Sequence, residues 1–435
     1  MSSVICFRAS AALAALVAGV ACGTKPPPAP SAQPLLVPLD APSASAETAP
    51  LIEPGAAPTG EPVRVGILHS LSGTMAPYET PLKDMALMTI DELNAEGGVL
   101  GRPIAPIVVD PGSNWPLFAE KARELIEKDR VSALFGGYTS VSRKSMLPVL
   151  EELNGLLFYP GEYEGEKPSA NVAYMGAVPN QSVSVVVDYL LKEASPRPQR
   201  FMVLGTDYVL PRTQSKVITE LLLARGVKPA DIVSTFVPFG HTDFVAIVSG
   251  LQQLSRGQPL LVVSLLLDES ADSFQRELLH QAVSRKTVQT VSFGIDERQL
   301  ADEPALFQDS LVASSYFSVL DHPANVSFRA RWASYVQAHA LPAPHAVLND
   351  ELEATYLELR LWKKAAETAR SVEPPLVAKA LGDLSLQAPS GFNVTIDPTS
   401  HHLHKPYFVG RVGADGRVTV IFRTPAAVAP EARSY

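Results

Sequence analysis

One strand-loop-helix unit opens the patterned part of the chain: residues 63–98 read VRVGILHSLSGTMAPYETPLKDMALMTIDELNAEGG. The first six residues are apolar except for one arginine and predict a short strand, and the serines and glycine of 70–74 predict a loop. Apolar residues then recur at helical spacing from Leu82 to Leu93, and a Gly-Gly pair predicts the end of that helix. Such a unit is the building block of an α/β fold.

The same alternation continues to about Phe422, roughly 360 residues after Val63. Further strand patterns lie at 104–109, 131–135, 155–159, 201–205, 232–236 and 260–267, with helical or loop segments between them. Strands that alternate with helices form βαβ units and parallel sheets. Since this stretch is too long for one ordinary sheet domain, we predict an α/β fold with two doubly wound parallel-sheet lobes.

The first 61 residues have a different composition. Residues 11–21 are small and apolar, which is typical of a signal peptide, and they are fewer than the ~20 needed to cross a bilayer. We therefore predict a signal peptide over residues 1–21. The small residues before Cys22 resemble a bacterial lipobox and predict lipid attachment at Cys22, with simple cleavage and release as the alternative. Residues 22–61 are predicted to be the lipid-anchor cysteine and a Pro/Ala-rich linker, because ten prolines lie between Gly23 and Glu61.

The charge and cysteine content exclude several classes of protein. The chain has 36 lysines and arginines against 45 acidic residues, so it offers no cationic footprint for nucleic acid. Its only cysteines are Cys6 and Cys22, so the body that follows the linker has no disulfide, no thiol nucleophile and no thiolate metal site. We expect this body to be held together by its apolar core alone.

Polar strand-to-helix loops are the candidate binding elements, because open parallel sheets bind ligands beyond the carboxyl ends of their strands. Three such loops lie at 70–79, 136–140 and 159–164. Glycines let the backbone approach a ligand, and helix N-terminal amides donate hydrogen bonds. Each loop also has a structural interpretation. Ser140 could only cap a helix, Tyr138 and Tyr159 could be core rings, and Glu79 could be a solvated residue at a helix start.

Six segments between residues 63 and 422 carry a family resemblance. They are GILHSLSGTM (66–75), DELNAEGGVLG (91–101), YTSVSRK (138–144), FYP (158–160), GTDY (205–208) and HHLHKP (401–406). Together they resemble the substrate-binding proteins of urea and short-chain amide ABC transporters, a branch of the leucine-binding-protein-like, type I periplasmic binding protein family. The YTSVSRK segment points to the urea and amide branch, whereas NAEGG is shared more widely.

The resemblance implies a clamshell of two lobes joined by a three-crossover hinge. We place the crossovers near residues 181, 317 and 388. Lobe 1 is then formed by residues 62–181 and 318–388, lobe 2 by residues 182–317 and 389–425, and a C-terminal tail by residues 426–435.

The resemblance also implies a ligand site between the lobes. Tyr138 and Ser140 match ligand contacts on the first lobe, Tyr159 and Gly161 match further wall positions, and Tyr208 matches a contact from the second lobe. We add Glu79 as an acceptor for the ligand. Urea presents one carbonyl oxygen and four N–H donors, so a selective pocket needs a donor or two and several acceptors.

Three departures from the family pattern bear on the ligand. Leu265-Leu266-Leu267-Asp268 stands where urea-binding relatives carry a small polar run, Leu210 stands where they often have tyrosine, and Gly137 where they often have cysteine. A less polar amide or another small metabolite therefore stays open as the ligand.

A histidine cluster raises the question of a metal. His401, His402 and His404 lie close in sequence, but neighbours on an extended segment point to opposite faces, and no cysteine or closely spaced carboxylate completes a set. We predict no metal and no cofactor, and a structural role for these residues near the last crossover.

The sequence thus predicts a non-enzymatic, periplasmic, lipid-anchored receptor that binds urea or a short-chain amide and delivers it to the permease subunits of an ABC importer. One alternative is a tethered amide sensor of the same fold with a signalling partner, and another is a receptor for a metabolite such as an amino acid. An amidase or urease-like hydrolase is disfavoured, since the chain has no Gly-x-Ser-x-Gly elbow, His-Glu-x-x-His motif or phosphate loop.

Overall fold

The computed structural model describes residues 56–431, apart from the side chain of Asp268. The predicted signal peptide, Cys22 and most of the predicted linker lie outside the described residues, as do residues 432–435 of the predicted tail. The described part contains two parallel-sheet layers covered by helices, so the predicted α/β fold class with two lobes is confirmed. Within it, no helix combines the length and apolar character that a bilayer crossing requires.

Five strands form the first sheet. They are β1 Val63–Leu68, β2 Ile104–Val109, β3 Leu134–Gly136, β4 Leu157–Tyr159 and β5 Val172–Tyr174. All pair in parallel, in the order β2-β1-β3-β4-β5. The connecting helices are α1 Ala76–Ala95, α2 Trp115–Glu127 and α3 Ser140–Leu153. Strands β3, β4 and β5 are buried throughout, as expected for a parallel sheet covered on both faces.

The next part of the chain builds most of the second sheet. Its strands are β6 Arg200–Thr206, β7 Ile232–Val237, β8 Leu260–Leu265, β9 Val288–Ser292 and β10 Leu311–Ser314. Its helices are α4 Val183–Glu193, α5 Val209–Ala224, α6 Val245–Ser255, α7 Asp268–His280, α8 Glu297–Asp302 and α9 Pro304–Phe307. A 3-10 turn, Pro229–Asp231, precedes β7.

The chain then returns to the core of the first sheet. It forms α10 Pro323–Ala338, a 3-10 turn Ala343–Ala346, α11 Asp350–Ala369, α12 Pro374–Lys379 and the antiparallel pair β11 Ser385–Gln387 and β12 Asn393–Thr395. Helix α11 packs along α1, where Arg360 donates to Glu92 at 2.6 Å, and the ring of Trp362 is fully buried beneath it.

Two further strands, β13 Phe408–Val412 and β14 Val418–Arg423, complete the second sheet. They are antiparallel additions to one edge, which gives the order β14-β13-β10-β9-β8-β6-β7. Residue 181 lies between β5 and β6, and residue 317 lies between β10 and α10, where the chain passes from one sheet to the other.

The third crossing lies later than the sequence predicts. Val394, Ile396 and Leu403 pack in the core of the first sheet, whereas Tyr407 and Phe408 pack in the cores of the second. The chain therefore leaves the first core after Leu403 rather than near residue 388, because the apolar residues of β12 and the segment after it are covered by the first lobe.

The histidine cluster is part of the first lobe's packing. The ring of His402 stacks on Tyr174 with 4.2 Å between ring centres, and its Nδ1 lies 3.0 Å from the Ser400 carbonyl oxygen. Burial lowers the pKa of His402 to about 3, so the ring is neutral. Among the residues that the structure describes, no three His, Cys, Asp or Glu side chains are arranged to hold a metal ion.

Candidate ligand-binding site

A cavity of about 180 Å³ lies at the carboxyl ends of strands from both sheets. Its walls follow β1, β3 and β4 of the first sheet and β6 to β10 of the second, with the start of α11 closing one side. This is where an α/β fold with open sheets binds its ligand. The lining residues are Met75, Tyr78, Tyr138, Thr139, Ser140, Tyr159, Gly161, Glu162, Tyr208, Leu210, Phe239, Leu267, Phe293, Gly294, Ile295, Asp296, Glu297, Gln299, Ala313, Ser314, Tyr316, Phe317, Asn349, Asp350 and Glu351.

The structure brings five of the six sequence-predicted contacts together on this cavity. Tyr138, Ser140, Tyr159 and Gly161 come from the first lobe and Tyr208 from the second. Their role in binding remains a prediction, but their shared location is the one that the family resemblance implies.

The turn after β3 places the first of these residues. Gly136 has φ +143°, and a Cβ atom there would lie 2.1 Å from the Leu68 carbonyl oxygen, so only glycine allows β3 to pass β1 so closely. Thr139 caps α3, since its side chain accepts a hydrogen bond from the Ser142 amide at 3.1 Å. The neighbouring Ser140 is therefore not the helix cap. It is the first residue of α3, it is buried, and it lines the cavity.

Tyr159 and Gly161 form a tightly packed wall. The Tyr159 hydroxyl donates to the Tyr138 carbonyl oxygen at 2.9 Å, and the ring is fully buried. A Cβ atom on Gly161 would lie 2.6 Å from that same carbonyl oxygen and 2.8 Å from the Tyr159 hydroxyl. Gly161 is thus required by packing, and it keeps the loop close to both tyrosines.

Aromatic rings from both lobes line the cavity. Tyr138 stacks on Tyr78 with 5.9 Å between ring centres, and the Arg298 guanidinium lies 5.2 Å from the Tyr78 ring on the second-lobe side. The Tyr208 hydroxyl accepts a hydrogen bond from the Val141 amide at 3.3 Å. Tyr208 therefore reaches from the second lobe to the first turn of α3.

Glu79 does not line the cavity. Its carboxylate is fully buried under the first loop, where Oε2 accepts a hydrogen bond from the Ser70 amide at 2.7 Å and lies 3.4 Å from Nδ1 of His69. The sequence could not distinguish Glu79 from its neighbour Tyr78, which lines the cavity, since both lie in the first turn of α1. The prediction of a ligand contact at Glu79 has no support from the geometry of the cavity.

The departures from the family pattern have different locations. Leu267 and Leu210 line the cavity, whereas Leu265 and Leu266 are buried in the core of the second lobe. One leucine of the three, rather than all of them, makes the second-lobe wall more apolar. Gly137 lies behind the wall, where an added Cβ would be 3.0 Å from the Met146 side chain.

Sequence reasoning missed the acidic character of the cavity. Five carboxyl groups line it, and none of the lining residues within the described part of the chain is a lysine, arginine or histidine. These groups belong to Glu162, Asp296, Glu297, Asp350 and Glu351. Glu162 fell within a loop that the sequence singled out, but the other four follow a strand or open a helix in segments that no motif marked.

Glu162 links the two lobes. Its Oε2 accepts from the Gln214 side chain at 3.0 Å and its Oε1 from the Tyr407 hydroxyl at 3.2 Å, both of which belong to the second lobe. Burial, followed by the negative charge of Asp350, raises the pKa of Glu162 to about 8. The carboxyl group therefore gains or loses its proton near neutral pH.

The other acids differ in how they are held. Glu297 accepts from the Ser318 amide at 2.6 Å and from its hydroxyl at 2.9 Å, and burial raises its pKa to about 7. Asp350 accepts from the Ser315 hydroxyl at 3.2 Å. Burial and the adjacent Asp350 carboxylate raise the pKa of Glu351 well above its ordinary value.

Comparison with known proteins places this architecture in a family. The sequence model of the family described as periplasmic binding protein domain matches residues 63–434. The chain belongs to the periplasmic binding protein family. Family membership implies a periplasmic location. Proteins of this kind bind solutes and are not enzymes.

Individual relatives agree with the leucine-binding-protein type. The Leu/Ile/Val-binding protein homolog 7 of Brucella melitensis is 20% identical over 387 residues, which are 86% of this periplasmic binding protein and 94% of the relative. Among solved structures, an ABC transporter substrate-binding protein from Sphaerobacter thermophilus superposes with a TM-score of 0.74 at 18% identity, covering 85% of this chain and 99% of that one.

A second solved structure shows the same fold with a ligand of its own. The solute-binding protein of an ABC transporter from Rhodopseudomonas palustris BisB5, in complex with 3,4-dihydroxybenzoic acid, has a TM-score of 0.71 at 16% identity and covers 84% of this chain and 98% of that one. The predicted type I, leucine-binding-protein-like family is therefore confirmed. The urea and short-chain amide branch is not distinguished by these relatives.

Proposed function

We propose that this periplasmic binding protein is the extracytoplasmic receptor of an ABC importer and that it closes on a small solute rich in N–H donors. Urea and short-chain amides are the first candidates, since the sequence resembles their receptors. The observation that carries the proposal is the cavity, whose walls come from both lobes and whose polar lining is dominated by carboxyl and hydroxyl groups. The solute would be released unchanged to permease subunits in the membrane.

The position of the cavity supports a receptor that closes on its ligand. A ligand that touches residues of both lobes favours the closed arrangement, because its binding free energy depends on the two walls being together. Tyr138 and Ser140 on one wall and Tyr208 on the other are the contacts that we expect to respond. Clefts for drug-sized ligands are roughly 300–1,000 Å³, so a cavity of about 180 Å³ is suited to a smaller solute.

The chemistry of the lining favours a donor-rich ligand over an anion. Two structural neighbours were solved in complex with hydroxybenzoates, but a carboxylate here would face five carboxyl groups without a lining cation in the described part of the chain. The start of α3 offers backbone amides, yet the Val141 amide already donates to Tyr208. An amide nitrogen, in contrast, finds acceptors on several sides.

A solute panel tests this proposal. Full-length protein would be heated with urea, formamide, acetamide, leucine and 4-hydroxybenzoate, at millimolar concentrations because four heavy atoms give at best a dissociation constant of about tens of micromolar. We expect one of the donor-rich neutral solutes to raise the melting temperature and to reduce the radius of gyration in X-ray scattering. Binding of 4-hydroxybenzoate alone would overturn the preference for donors, and binding of leucine alone would make this an amino-acid receptor.

Attachment to the membrane is part of the same proposal. Acylation of Cys22 would keep the receptor near the permease, whereas a sensor of the same fold would be tethered in the same way but serve a signalling partner. Labelling cells with radioactive palmitate, with Cys22→Ser as the control, tests the anchor. Solute uptake that disappears on deletion of the receptor would separate transport from signalling.

A further inference from the structure

We propose that the group seated against Asp350 and Glu351 in this cavity is a planar organic cation, an amidinium or guanidinium, rather than the neutral amide of the same shape. This inference rests on the proposed function, because it names the class of solute that the same cavity would select.

The acidic groups around the cavity fall into two kinds, according to whether the chain supplies a cation. Asp296 lies 3.7 Å from the Arg298 guanidinium, and Arg329 and Lys405 exert an attractive charge on Glu297 and Glu162 respectively. For these acids the fold provides a countercharge.

Asp350 and Glu351 have no such countercharge. The two carboxyl groups are neighbours, and no described lysine, arginine or histidine lies within ion-pair distance of either. Both line the cavity. Two adjacent carboxyl groups that leave water need either a shared proton or a cation against them.

The start of α11 explains part of this arrangement but not all of it. Acidic residues are common in the first turn of a helix, where the partial positive charge of the N-terminus favours them. That interaction is modest, and it does not prevent the pKa of Glu351 from rising well above its ordinary value. A cation in the cavity would oppose the same rise.

The walls match a flat cation in shape as well as in charge. Tyr138 borders the cavity on the first-lobe wall, and Tyr208 and Phe239 border it on the second-lobe wall, whereas the ring of Tyr78 already has the Arg298 guanidinium against it. Aromatic faces attract cations, and a carboxylate accepts paired N–H groups from a planar amidinium in two parallel hydrogen bonds. An amidinium keeps the outline of an amide, so the resemblance to amide receptors and the acidic wall lead to one class of ligand.

Matched pairs of solutes test the inference directly. Calorimetry at pH 8 on the full-length protein would compare guanidinium with urea, acetamidinium with acetamide, and benzamidinium with benzamide. We expect the cation of at least one pair to bind ten times or more tightly than its neutral partner. Equal or tighter binding of the neutral member in every pair that binds would overturn the inference and leave the proposed function standing.

Variants test whether Asp350 and Glu351 cause the preference for the cation. In Asp350→Asn/Glu351→Gln we expect the ratio of cation to neutral affinity to fall to about threefold or less. Asp415→Asn, on the exposed hairpin between β13 and β14, removes a carboxylate outside the cavity and should keep the ratio. A ratio that survives the double variant would overturn the assignment to these two residues.

A different result would address the proposed function itself. If neither these six solutes nor the wider panel changed the heat of mixing or the scattering profile, the receptor role would fail together with the inference. Preference for a neutral solute would contradict only the inference.

Discussion

Two sites of the first lobe combine carboxyl groups with tyrosine rings, and they differ in whether the chain supplies a cation. Behind the cavity wall, Arg143 donates to Glu164 Oε2 at 2.7 Å, and its guanidinium lies 4.2 Å from the ring centre of Tyr163. At the cavity, Asp350 and Glu351 also lie near aromatic rings but have no such partner among the described residues. Tyr159 belongs to both sites, since its ring lines the cavity and lies 5.4 Å from the Arg143 guanidinium.

The comparison shows that carboxyl groups beside tyrosine rings can either stabilise the fold or be left for a ligand. A buried charge is tolerated when an opposite charge and hydrogen bonds replace water. At the Arg143–Glu164 pair the fold provides that replacement permanently, so the site holds the loop after β4 against α3. At Asp350–Glu351 the replacement is left to a ligand, under the proposal made above. Arg143 itself shows what a guanidinium does between a carboxylate and tyrosine rings.

The largest effect on stability is expected at the Arg143–Glu164 pair. Arg143→Met leaves the Glu164 carboxylate buried without its partner, which should lower the free energy of unfolding by about 3–5 kcal/mol. Differential scanning calorimetry of the protein without added solute measures the loss. The double variant Arg143→Met/Glu164→Leu should recover most of it, and Asp350→Asn should not destabilise the protein. A single variant as stable as the wild type would show that the two sites do not differ in this way.

The pH dependence of stability reports the ionisation of Glu162. The pKa of Glu162 in the folded protein, about 8, lies above the ordinary value for a glutamate. Its contribution to stability is therefore present at low pH and is lost as the pH rises through about 8. Between pH 6 and pH 9 we expect a loss of about 2 kcal/mol or more.

Glu162→Gln provides the check on this prediction. The glutamine carbonyl can still accept from Gln214 or Tyr407, while the ionisation is removed, so the melting temperature should vary less with pH. Asp350 opposes ionisation at residue 162, and Lys405 favours it, so both groups contribute to the wild-type slope. The same slope in wild type and variant would assign the pH dependence to other residues.

Binding should depend on the rings that line the cavity and not on the Tyr163 ring that packs on Arg143. Tyr138→Ala removes one wall and should weaken the tightest-binding solute of the panel by roughly 30-fold, about 2 kcal/mol. Titration calorimetry measures the change. Tyr163→Phe keeps the ring over Arg143 and should leave affinity unchanged. Ser140→Ala is expected to weaken binding in the same direction, and unchanged affinity in both Tyr138→Ala and Ser140→Ala would remove the site assignment.

The smallest effect is expected at the contact between the lobes. Tyr208→Phe deletes the hydroxyl that accepts from the Val141 amide, a hydrogen bond worth about 1 kcal/mol. Affinity should fall three- to tenfold, because closure is less favourable, while the melting temperature without solute changes little. Scattering with and without solute checks the prediction, and tighter binding in the variant would contradict it.

Much of the site was accessible from sequence because its residues belong to short local motifs. Tyr138, Ser140, Tyr159, Gly161 and Tyr208 all follow predicted strands, and the structure places all five on one cavity. Glu79 shows the limit of such reasoning. It follows a strand just as the others do, yet its carboxylate turns inward to the Ser70 amide. The direction of one side chain within a helical turn depends on packing that local sequence does not encode.

By itself, the sequence determined the alternation of strands and helices, and with it the α/β fold and the loops that could bind a ligand. These are local properties, since periodicity and turn residues act over a few positions. Only the tertiary structure decided that β12 packs with the first lobe and that Glu162, Asp296 and Asp350 meet at one cavity. The physical reason is that the electrostatics of a site depends on which charges burial brings together. Residues more than a hundred positions apart become neighbours only when the chain folds into its lobes and the lobes pack.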